Sequence, residues 1–439
     1  MTDPKSSPIP MAVPTSRLFR VAGLSSMTAG IAGNVAVRAL SEIGRGARPD
    51  MRGLLMTPGN VTRVADQLAR MRGAAMKVGQ LFSMDAGEVL PPELADIMAR
   101  LRDQAHFMPT KQLRDVLNRA WGADWRKSFK AFNVRPIAAA SIGQVHRATL
   151  KDGRDVAIKV QYPGIARSID SDVANVATLV RMSGLLPQSF DMAPYIEEAR
   201  SQLHEETDYE REGQYLRCFA DLLQGDEAFK IPEFYPDWST QEVLTMSFLE
   251  GHPIEAVSDA TSEERNRVSE ALVNLTLREV FEFGMMQSDP NFANYRYNPS
   301  NGKISLLDFG AARALQPSAI DGYVDLLRAG LLEDSAALRR AAIQLKLIEG
   351  DGPFDDRILG MIRSVFEAIL SAKEFDFSDR TLSQRLNNDG MALAEAGYIP
   401  PQVPMDVLYL QRKIGGMFLL ATRLRASLPV KTLLEKYVI

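Results

Sequence analysis

Four polar side chains that can bind a phosphorylated ligand occur in or beside apolar segments of the chain. Lys159 lies inside one such segment (DVAIKVQ), and Asp308 follows another (LLDFG). Asp289 and Asn294 lie between them in QSDPNFAN, with the spacing D-x-x-x-x-N. A lysine ammonium neutralises phosphate charge, and carboxylate and amide oxygens are ligands that Mg²⁺ prefers. The four residues therefore predict a site for a magnesium-bound nucleotide.

The order of these residues matches the order found in protein-kinase sites. The V-A-I-K motif at 156–159 supplies a lysine that holds nucleotide phosphates and pairs with a helix glutamate. In the D-x-x-x-x-N motif, Asp289 orients or deprotonates the nucleophile and Asn294 binds magnesium. Asp308, in a D-F-G triplet, joins the metal to the phosphates. Each motif is common by chance, but their occurrence in this order predicts a kinase-like nucleotide site.

A loop rich in alanine precedes the lysine motif. Laid on the kinase pattern G-x-G-x-x-G-x-V, residues 138–145 (AAASIGQV) keep Gly143 and Val145 but have Ala138 and Ala140 at the first two glycine positions. Alanine restricts the loop and adds methyl groups over the phosphates, so we expect a stiffer lid and an altered nucleotide preference. The residues expected to line the nucleotide are Ala138, Ala140, Ser141, Ile142, Gly143, Val145, Ala157, Lys159 and Asp308.

Beyond these kinase motifs, the sequence resembles the UbiB/AarF family of atypical kinase-like proteins. The resemblance covers about residues 60–320 and rests on K-x-G-Q at 77–80, on the alanine loop, and on E-x-D at 206–208. The strings AAASIGQVH, VQYPG, QSDPN and LLDFGAAR are nearly identical to family strings. The form Gln287-Ser288-Asp289 is most similar to the mitochondrial-type branch.

The resemblance implies roles for further residues. Lys159 should pair with Glu212 on a helix. Glu206 and Asp208 should face Lys77 and Gln80 in a family-specific regulatory element. The residues of this regulatory element are Lys77, Gly79, Gln80, Glu206 and Asp208. The resemblance also implies ATP or ADP with Mg²⁺ as cofactors and a role in ubiquinone biosynthesis, with the enzymes or intermediates of that process as partners.

The phosphoryl acceptor is not determined by the sequence. No A-P-E triplet follows Asp308, which favours ATP hydrolysis or small-molecule phosphotransfer over protein phosphorylation. A nucleotide-sensing scaffold without turnover stays open, because Gln287 replaces the usual histidine and the loop is rich in alanine. A small-molecule kinase of the aminoglycoside or choline type shares D-x-x-x-x-N but lacks K-x-G-Q.

The hydrophobic periodicity predicts an α+β, two-lobed protein-kinase-like fold with an N-terminal helical extension. We expect a helix from an N-cap at Thr110 to Ala120, strands at 144–150 and 155–161, one helical stretch over 191–222, and a mostly helical chain from 261. We assign the segment after 320 only scaffold or lipid-facing roles. The predicted domains are a disordered tail at 1–16, a small-residue helix at 17–50, a helical extension at 51–130, an N-lobe at 131–250 and a C-lobe at 251–439.

Composition excludes several classes of protein. The chain has 439 residues with 51 Lys and Arg against 55 Asp and Glu, so no basic excess indicates nucleic acid binding. A single cysteine, Cys218, forms no internal disulfide and indicates a cytoplasmic or equivalent reducing compartment, and Cys218 and His146 are interpreted as structural. The uncharged stretch 21–37 has flanking arginines. It predicts a helix packed on the protein or one lying on anionic lipids, peripheral to the inner membrane.

Overall fold

The computed structural model describes residues 73–75, 77–78, 107–183, 192–398 and 400–438. The predictions for Gly79, Gln80 and the segments 1–16 and 17–50 lie outside this set. The described chain forms two compact units. The sheet unit contains the described residues up to Gly213 together with Phe234–Phe248, and the helical unit contains Gln214–Glu233 and the chain from Leu249 onward.

An antiparallel sheet of five strands forms the centre of the sheet unit. The strand order is β1-β3-β4-β6, with β2 paired to β3. β4 lies between β3 and β6, and its residues 156–161 are all buried, so side chains on both faces of this strand are covered, consistent with its nearly continuous apolar run. The predicted β3–β4 hairpin is confirmed, and Gly153, with φ of 94°, supplies the left-handed residue of its turn. The strands are β1 (Phe129–Phe132), β2 (Ala138–Ala139), β3 (Gly143–Leu150), β4 (Asp155–Gln161) and β6 (Val243–Ser247).

Two helix boundaries expected from the sequence are wrong in the sheet unit. They are the N-cap at Thr110 and the continuous helix over 191–222. The helix predicted from an N-cap at Thr110 begins at Thr110 itself, with Pro109 as its N-cap residue and no side-chain capping bond. Thr110 therefore lies inside the helix and not at the position before it, where a side-chain oxygen can accept from the N–H groups of the first turn. The helices are α1 (Thr110–Trp121), α2 (Ile169–Ser183), α3 (Ala193–Glu206) and α4 (Tyr209–Leu222), whose first five residues belong to the sheet unit.

The stretch predicted as one helix over 191–222 is two helices broken at Thr207 and Asp208. The Thr207 hydroxyl donates to the carbonyl oxygen of His204 at 2.8 Å. The Asp208 carboxylate accepts from the backbone N–H of Arg211 at 3.0 Å. Side chains of Thr and Asp compete in this way with helical hydrogen bonds, and the second contact caps the start of α4.

Aromatic side chains from α1 and the neighbouring strands make one apolar cluster of the sheet unit. The ring centroids of Trp121 and Trp125 lie 5.8 Å apart, and Trp121 also contacts Trp238 at 5.5 Å. Phe129 of β1 packs against all three rings. Trp121 and Trp125 are thus packing residues of the sheet unit.

The helical unit is built on long helices with short strand pairs inserted between them. The prediction of a mostly helical chain from residue 261 is confirmed. Strands pair in the order β5-β10-β9-β7, with β8–β11 and β12–β13 as two further pairs. The helices are α5 (Ser262–Phe281), α6 (Pro317–Leu331), α7 (Ser335–Gln344), α8 (Asp355–Leu370), α9 (Thr381–Glu395), α10 (Met405–Leu424) and α11 (Val430–Val438). The strands are β5 (Phe229–Lys230), β7 (His252–Pro253), β8 (Met285–Gln287), β9 (Tyr295–Asn298), β10 (Lys303–Leu306), β11 (Ala312–Ala314), β12 (Phe375–Asp376) and β13 (Ser427–Leu428).

Among the described residues, no helix combines the length and the apolar character needed to cross a membrane.

Candidate functional site

The lysine of the V-A-I-K motif is held in a buried ion pair within the sheet unit. The Lys159 ammonium lies 2.9 Å from both carboxylate oxygens of Glu212. The two residues are 6% and 2% exposed, and the Tyr209 ring centroid lies 5.1 Å from the ammonium. Because β4 is central and α4 is capped at Asp208, both elements that carry the pair are firmly placed. Ala157 shares the face of β4 that carries Lys159.

The alanine loop closes in a tight turn. Ala138 and Ala139 form β2, paired with β3, and the backbone N–H of Ala140 donates to the carbonyl oxygen of Gly143 at 2.9 Å. A side-chain carbon at Gly143 would overlap the carbonyl oxygen of Val160, so this position requires glycine for close packing. The methyl groups expected over a nucleotide thus belong to a short, hydrogen-bonded strand pair. Its stiffness as a lid stays a prediction.

The K-x-G-Q lysine and the E-x-D glutamate meet at the tip of this loop. The Lys77 ammonium forms a buried ion pair with Glu206, whose other oxygen accepts from the Ser141 hydroxyl at 2.5 Å. The Gly73 backbone also packs against the loop, because a side-chain carbon there would lie 3.2 Å from the carbonyl oxygen of Ser141. Asp208 instead uses its carboxylate to cap α4. Glu206 therefore connects Lys77 to the alanine loop.

In the helical unit, two strand pairs bring Asp289, Asn294 and Asp308 together. Asp289 follows β8 closely, and β8 pairs with β11 on the other side of the D-F-G triplet. Asn294 directly precedes β9, and Asp308 follows β10 at the same end of that hairpin. The backbone N–H of Leu307 donates to the carbonyl oxygen of Asn294 at 3.0 Å, which fixes these two segments side by side.

The side chains of these three residues are ordered by short contacts. The Asn294 amide nitrogen donates to the Asp289 carbonyl oxygen at 3.2 Å and lies 3.5 Å from its carboxylate. One carboxylate oxygen of Asp308 accepts from the backbone N–H of Gly310 at 3.0 Å. The Asn294 amide is therefore oriented with its nitrogen toward Asp289.

The donors present in this segment fit a magnesium ion. The Asn294 amide oxygen and the Asp308 carboxylate are hard oxygen donors, the type that Mg²⁺ selects. The described residues contain no cluster of three or more His, Cys, Asp or Glu side chains that could hold a metal by themselves. Mg²⁺ is commonly bound by one or two carboxylates and completed by substrate phosphates and water, which matches a set of two protein ligands.

Helix α10 supplies charged residues to this segment that the sequence analysis did not identify. The Arg412 guanidinium lies 2.8 Å from a carboxylate oxygen of Asp289. The Lys413 ammonium donates to the carbonyl oxygen of Gln287 at 3.0 Å and pairs with Glu279 at 2.9 Å. The segment after 320, for which only scaffold or lipid-facing roles are expected, thus contacts a candidate catalytic residue. The sequence offers one signal for this contact, which is the pair of adjacent cations Arg412 and Lys413 inside the largely apolar segment 405–424.

Lys413 is charged although it is buried. Burial by itself lowers the pKa of this lysine, but the negative charge of Glu279 and the hydrogen bond to the Tyr295 hydroxyl outweigh that effect and raise it. Lys413 and Glu279 are each 1% exposed. Breaking such a pair leaves an uncompensated buried charge, so the pair ties α10, α5 and β8 together.

The remaining residues singled out from the sequence are packing residues. The sulfur of Cys218, on α4, lies 3.7 Å from the sulfur of Met285 on β8, and both residues belong to the helical unit. The phenyl ring of Phe309 in the D-F-G triplet packs against Phe219, with centroids 4.8 Å apart. The interpretation of Cys218 as a packed side chain is confirmed.

A buried lysine–glutamate pair on a small antiparallel sheet, and an Asp-Asn-Asp set in a helical unit, define a protein-kinase-like class of protein. The model of the ABC1 atypical kinase-like domain matches residues 100–342. The chain is 38% identical over 421 residues to the yeast Saccharomyces cerevisiae protein named atypical kinase COQ8, mitochondrial, covering 95% of this chain and 83% of that one. It is 35% identical to atypical kinase COQ8B, mitochondrial, of Danio rerio, covering 94% and 67%.

A solved structure agrees with these matches. The Mycobacterium tuberculosis protein Rv3197, determined in complex with erythromycin, superposes with a TM-score of 0.62 at 26% identity and covers 84% of this chain and 93% of that one. The chain belongs to the ABC1 atypical kinase family. The predicted fold class, the resemblance to mitochondrial-type members and the enzyme class of atypical kinase are confirmed.

Proposed function

We propose that this chain binds ATP or ADP with Mg²⁺ and hydrolyses ATP or transfers its γ-phosphate, in support of ubiquinone biosynthesis. The observation that carries the proposal is the buried pair of Lys159 and Glu212. A buried ion pair is often no more stable than two apolar side chains of similar volume, so its presence is better explained by function than by stability. Glu212 holds a charged lysine in one orientation, where it neutralises nucleotide phosphates.

Residues of the helical unit supply the other roles in this proposal. Asn294 and Asp308 hold Mg²⁺, which neutralises charge on the phosphates. Asp289 orients or deprotonates the attacking group, which is water or an acceptor hydroxyl. The hydrogen bonds that join Asp289 to Asn294, and the segment of Asn294 to that of Asp308, support one shared role for the three residues.

The biological role follows from the family. The relatives named atypical kinase COQ8 are mitochondrial proteins, and the sequence motifs resemble those of proteins needed for ubiquinone biosynthesis. We therefore propose ubiquinone-biosynthesis enzymes or intermediates as partners. The arginines that flank segment 21–37 support anionic lipids as a further partner and a peripheral location on a membrane.

Magnesium-dependent ATP binding tests the nucleotide site. Lys159→Met alone removes the lysine paired with the buried Glu212 carboxylate and destabilises the protein, so the informative variant is Lys159→Met combined with Glu212→Leu. This variant replaces the pair by apolar groups and is expected to fold while losing ATP affinity. The matched control removes the exposed pair of Arg119 and Glu242, 3.2 Å apart in the same unit, by Arg119→Met and Glu242→Leu.

Calorimetric titration with ATP, with and without Mg²⁺, is the measurement. The wild type and the control should bind ATP, and Asp308→Asn should lose the magnesium dependence. Equal affinity of the wild type and the Lys159→Met, Glu212→Leu variant would refute the site.

Quinone profiling tests the biological role. In a host strain lacking its own relative, the wild-type chain should restore ubiquinone and Asp289→Asn should not. Full restoration by Asp289→Asn would instead favour a scaffold that binds nucleotide without turnover.

A further inference from the structure

Helix α10 contacts the QSDPN segment, residues 287–291, through Arg412, Lys413 and Gly416. Arg412 reaches the Asp289 side chain, and Lys413 reaches the backbone that leads to it. One helical turn further on, a side-chain carbon at Gly416 would overlap the Pro290 ring, so the helix backbone lies directly against the segment. A helix near the end of the chain thus determines where the candidate catalytic carboxylate is placed.

The two cations on α10 have different partners. Lys413 is occupied by Glu279 and by a backbone carbonyl oxygen, and it is almost fully buried. Arg412 places a terminal guanidinium nitrogen 2.8 Å from one carboxylate oxygen of Asp289, and the two side chains are 13% and 20% exposed. Lys413 therefore anchors the helix, whereas Arg412 acts on a side chain that a ligand can also reach.

The contacts of Asp289 distinguish its two carboxylate oxygens. Oδ1 accepts from Arg412, and Oδ2 lies 3.5 Å from the amide nitrogen of Asn294. A guanidinium restricts the orientation of a carboxylate strongly, because charge-assisted hydrogen bonds are short and directional. With Oδ1 held in this way, Oδ2 is left as the oxygen that faces the magnesium-binding asparagine.

We propose that Arg412 is a positioning residue for Asp289. It fixes the rotamer of the carboxylate, with Oδ1 on the guanidinium and Oδ2 toward Asn294. The inference rests on the proposed function, in which Asp289 orients or deprotonates the attacking group. Because Arg412 acts through Asp289, its loss lowers turnover without weakening nucleotide binding.

Three variants of the full chain test this role. Arg412→Ala removes the guanidinium, Arg412→Lys keeps the charge but not the planar fork, and Arg423→Ala removes an exposed arginine of the same helix as a control. The readouts are kcat and KM for ATP hydrolysis and the rise in melting temperature caused by Mg-ATP. For Arg412→Ala we expect kcat to fall about 10- to 100-fold, the cost of misplacing a catalytic group.

Two further measurements separate positioning from general stability. The KM for ATP and the Mg-ATP shift in melting temperature should stay at wild-type values in Arg412→Ala, and millimolar guanidinium should restore part of its turnover. In an Asp289→Asn background, Arg412→Ala should add little further loss, because the arginine acts through that carboxylate. If Arg412→Ala does not fold, Arg412→Lys carries the test, with kcat expected between the wild type and Asp289→Asn.

The outcomes are distinguishable. Equal turnover of Arg412→Ala and Arg423→Ala overturns the positioning role while the proposed function stands. If Arg412→Ala loses both turnover and the rise in melting temperature caused by Mg-ATP, and guanidinium does not restore turnover, the positioning role is overturned. Arg412 then has a purely structural role. A wild-type protein that binds Mg-ATP but neither hydrolyses it nor needs Asp289 for quinone rescue refutes the proposed catalysis and this inference with it.

Discussion

His146 on β3 should make the stability of the sheet unit depend on pH. The side chain is fully buried, with Nδ1 2.8 Å from the carbonyl oxygen of Asn133 and Nε2 2.8 Å from the amide nitrogen of Gln144. A carbonyl oxygen only accepts, so Nδ1 carries the proton and Nε2 accepts from Gln144. The amide of Gln144 is oriented in turn, because its oxygen accepts from the backbone N–H of Met108 at 2.8 Å.

Burial of the His146 ring favours the neutral imidazole. Burial lowers the pKa of His146 from 6.5 to about 4, and the Asn133 carbonyl oxygen offsets part of that effect. Between these two values the unfolded chain binds a proton that the folded chain does not, so the free energy of unfolding rises with pH. The stabilisation is complete above pH 6.5 and is lost as pH falls toward 4. It amounts to about 2 kcal/mol between pH 8 and 5 and about 3 kcal/mol over the whole range.

Tryptophan fluorescence during urea unfolding measures this effect selectively. The chain has three tryptophans, and Trp121, Trp125 and Trp238 all lie in the sheet unit. His146→Gln can keep one accepting and one donating group but does not titrate in this range. We expect the wild type to lose about 2 kcal/mol more than His146→Gln between pH 8 and 5. His252→Gln, at an exposed position on β7, is the control and should behave as the wild type.

The comparison of variants is necessary because carboxylates also titrate toward pH 5. The reasoning is refuted if His146→Gln and the wild type show the same pH dependence of the free energy of unfolding. It is equally refuted if His252→Gln reduces that dependence as much as His146→Gln does.

Two predictions concern helix α10. Lys413→Met leaves the Glu279 carboxyl buried without its ion-pair partner and should lower the free energy of unfolding by about 3–5 kcal/mol. Adding Glu279→Leu should recover most of that loss, and a single variant as stable as the double one in chemical denaturation would contradict this. Gly416→Ala should cost about 1–3 kcal/mol through overlap with Pro290 and should lower ATP turnover. Gly415→Ala is the control, because no atom lies within 4 Å of its added carbon, and it should instead stabilise the helix by about 0.5–1 kcal/mol. Equal melting temperatures of the Gly415→Ala and Gly416→Ala variants would refute the close packing of α10 against Pro290.

Much of the sheet unit could be predicted because its signals are local. The β3–β4 hairpin is encoded by two apolar runs and a Gly153 turn, and Lys159 was identified by its place in such a run. The break at Asp208 was missed because a helical pattern continues on both sides of it. In the structure the break is marked by the capping contact of the Asp208 carboxylate with the backbone N–H of Arg211.

The candidate site in the helical unit also contains residues that the sequence predicts and one that it does not. Asp289, Asn294 and Asp308 were identified from short motifs, because each motif needs only a few neighbouring residues to be recognised. Arg412 is 123 positions from Asp289 and carries no motif of its own, so nothing in the sequence pairs the two.

The sequence by itself determined the family of this protein, its two-lobed kinase-like class and the residue types that can bind a magnesium nucleotide. Local hydrophobic periodicity and short motifs are sufficient for that. Tertiary structure alone decided that Glu206 also accepts from Ser141 of the alanine loop, and that α10 holds the loop carrying Asp289. Long-range ion pairs depend on how distant elements pack, and a side chain's partner is not encoded by its neighbours in the chain.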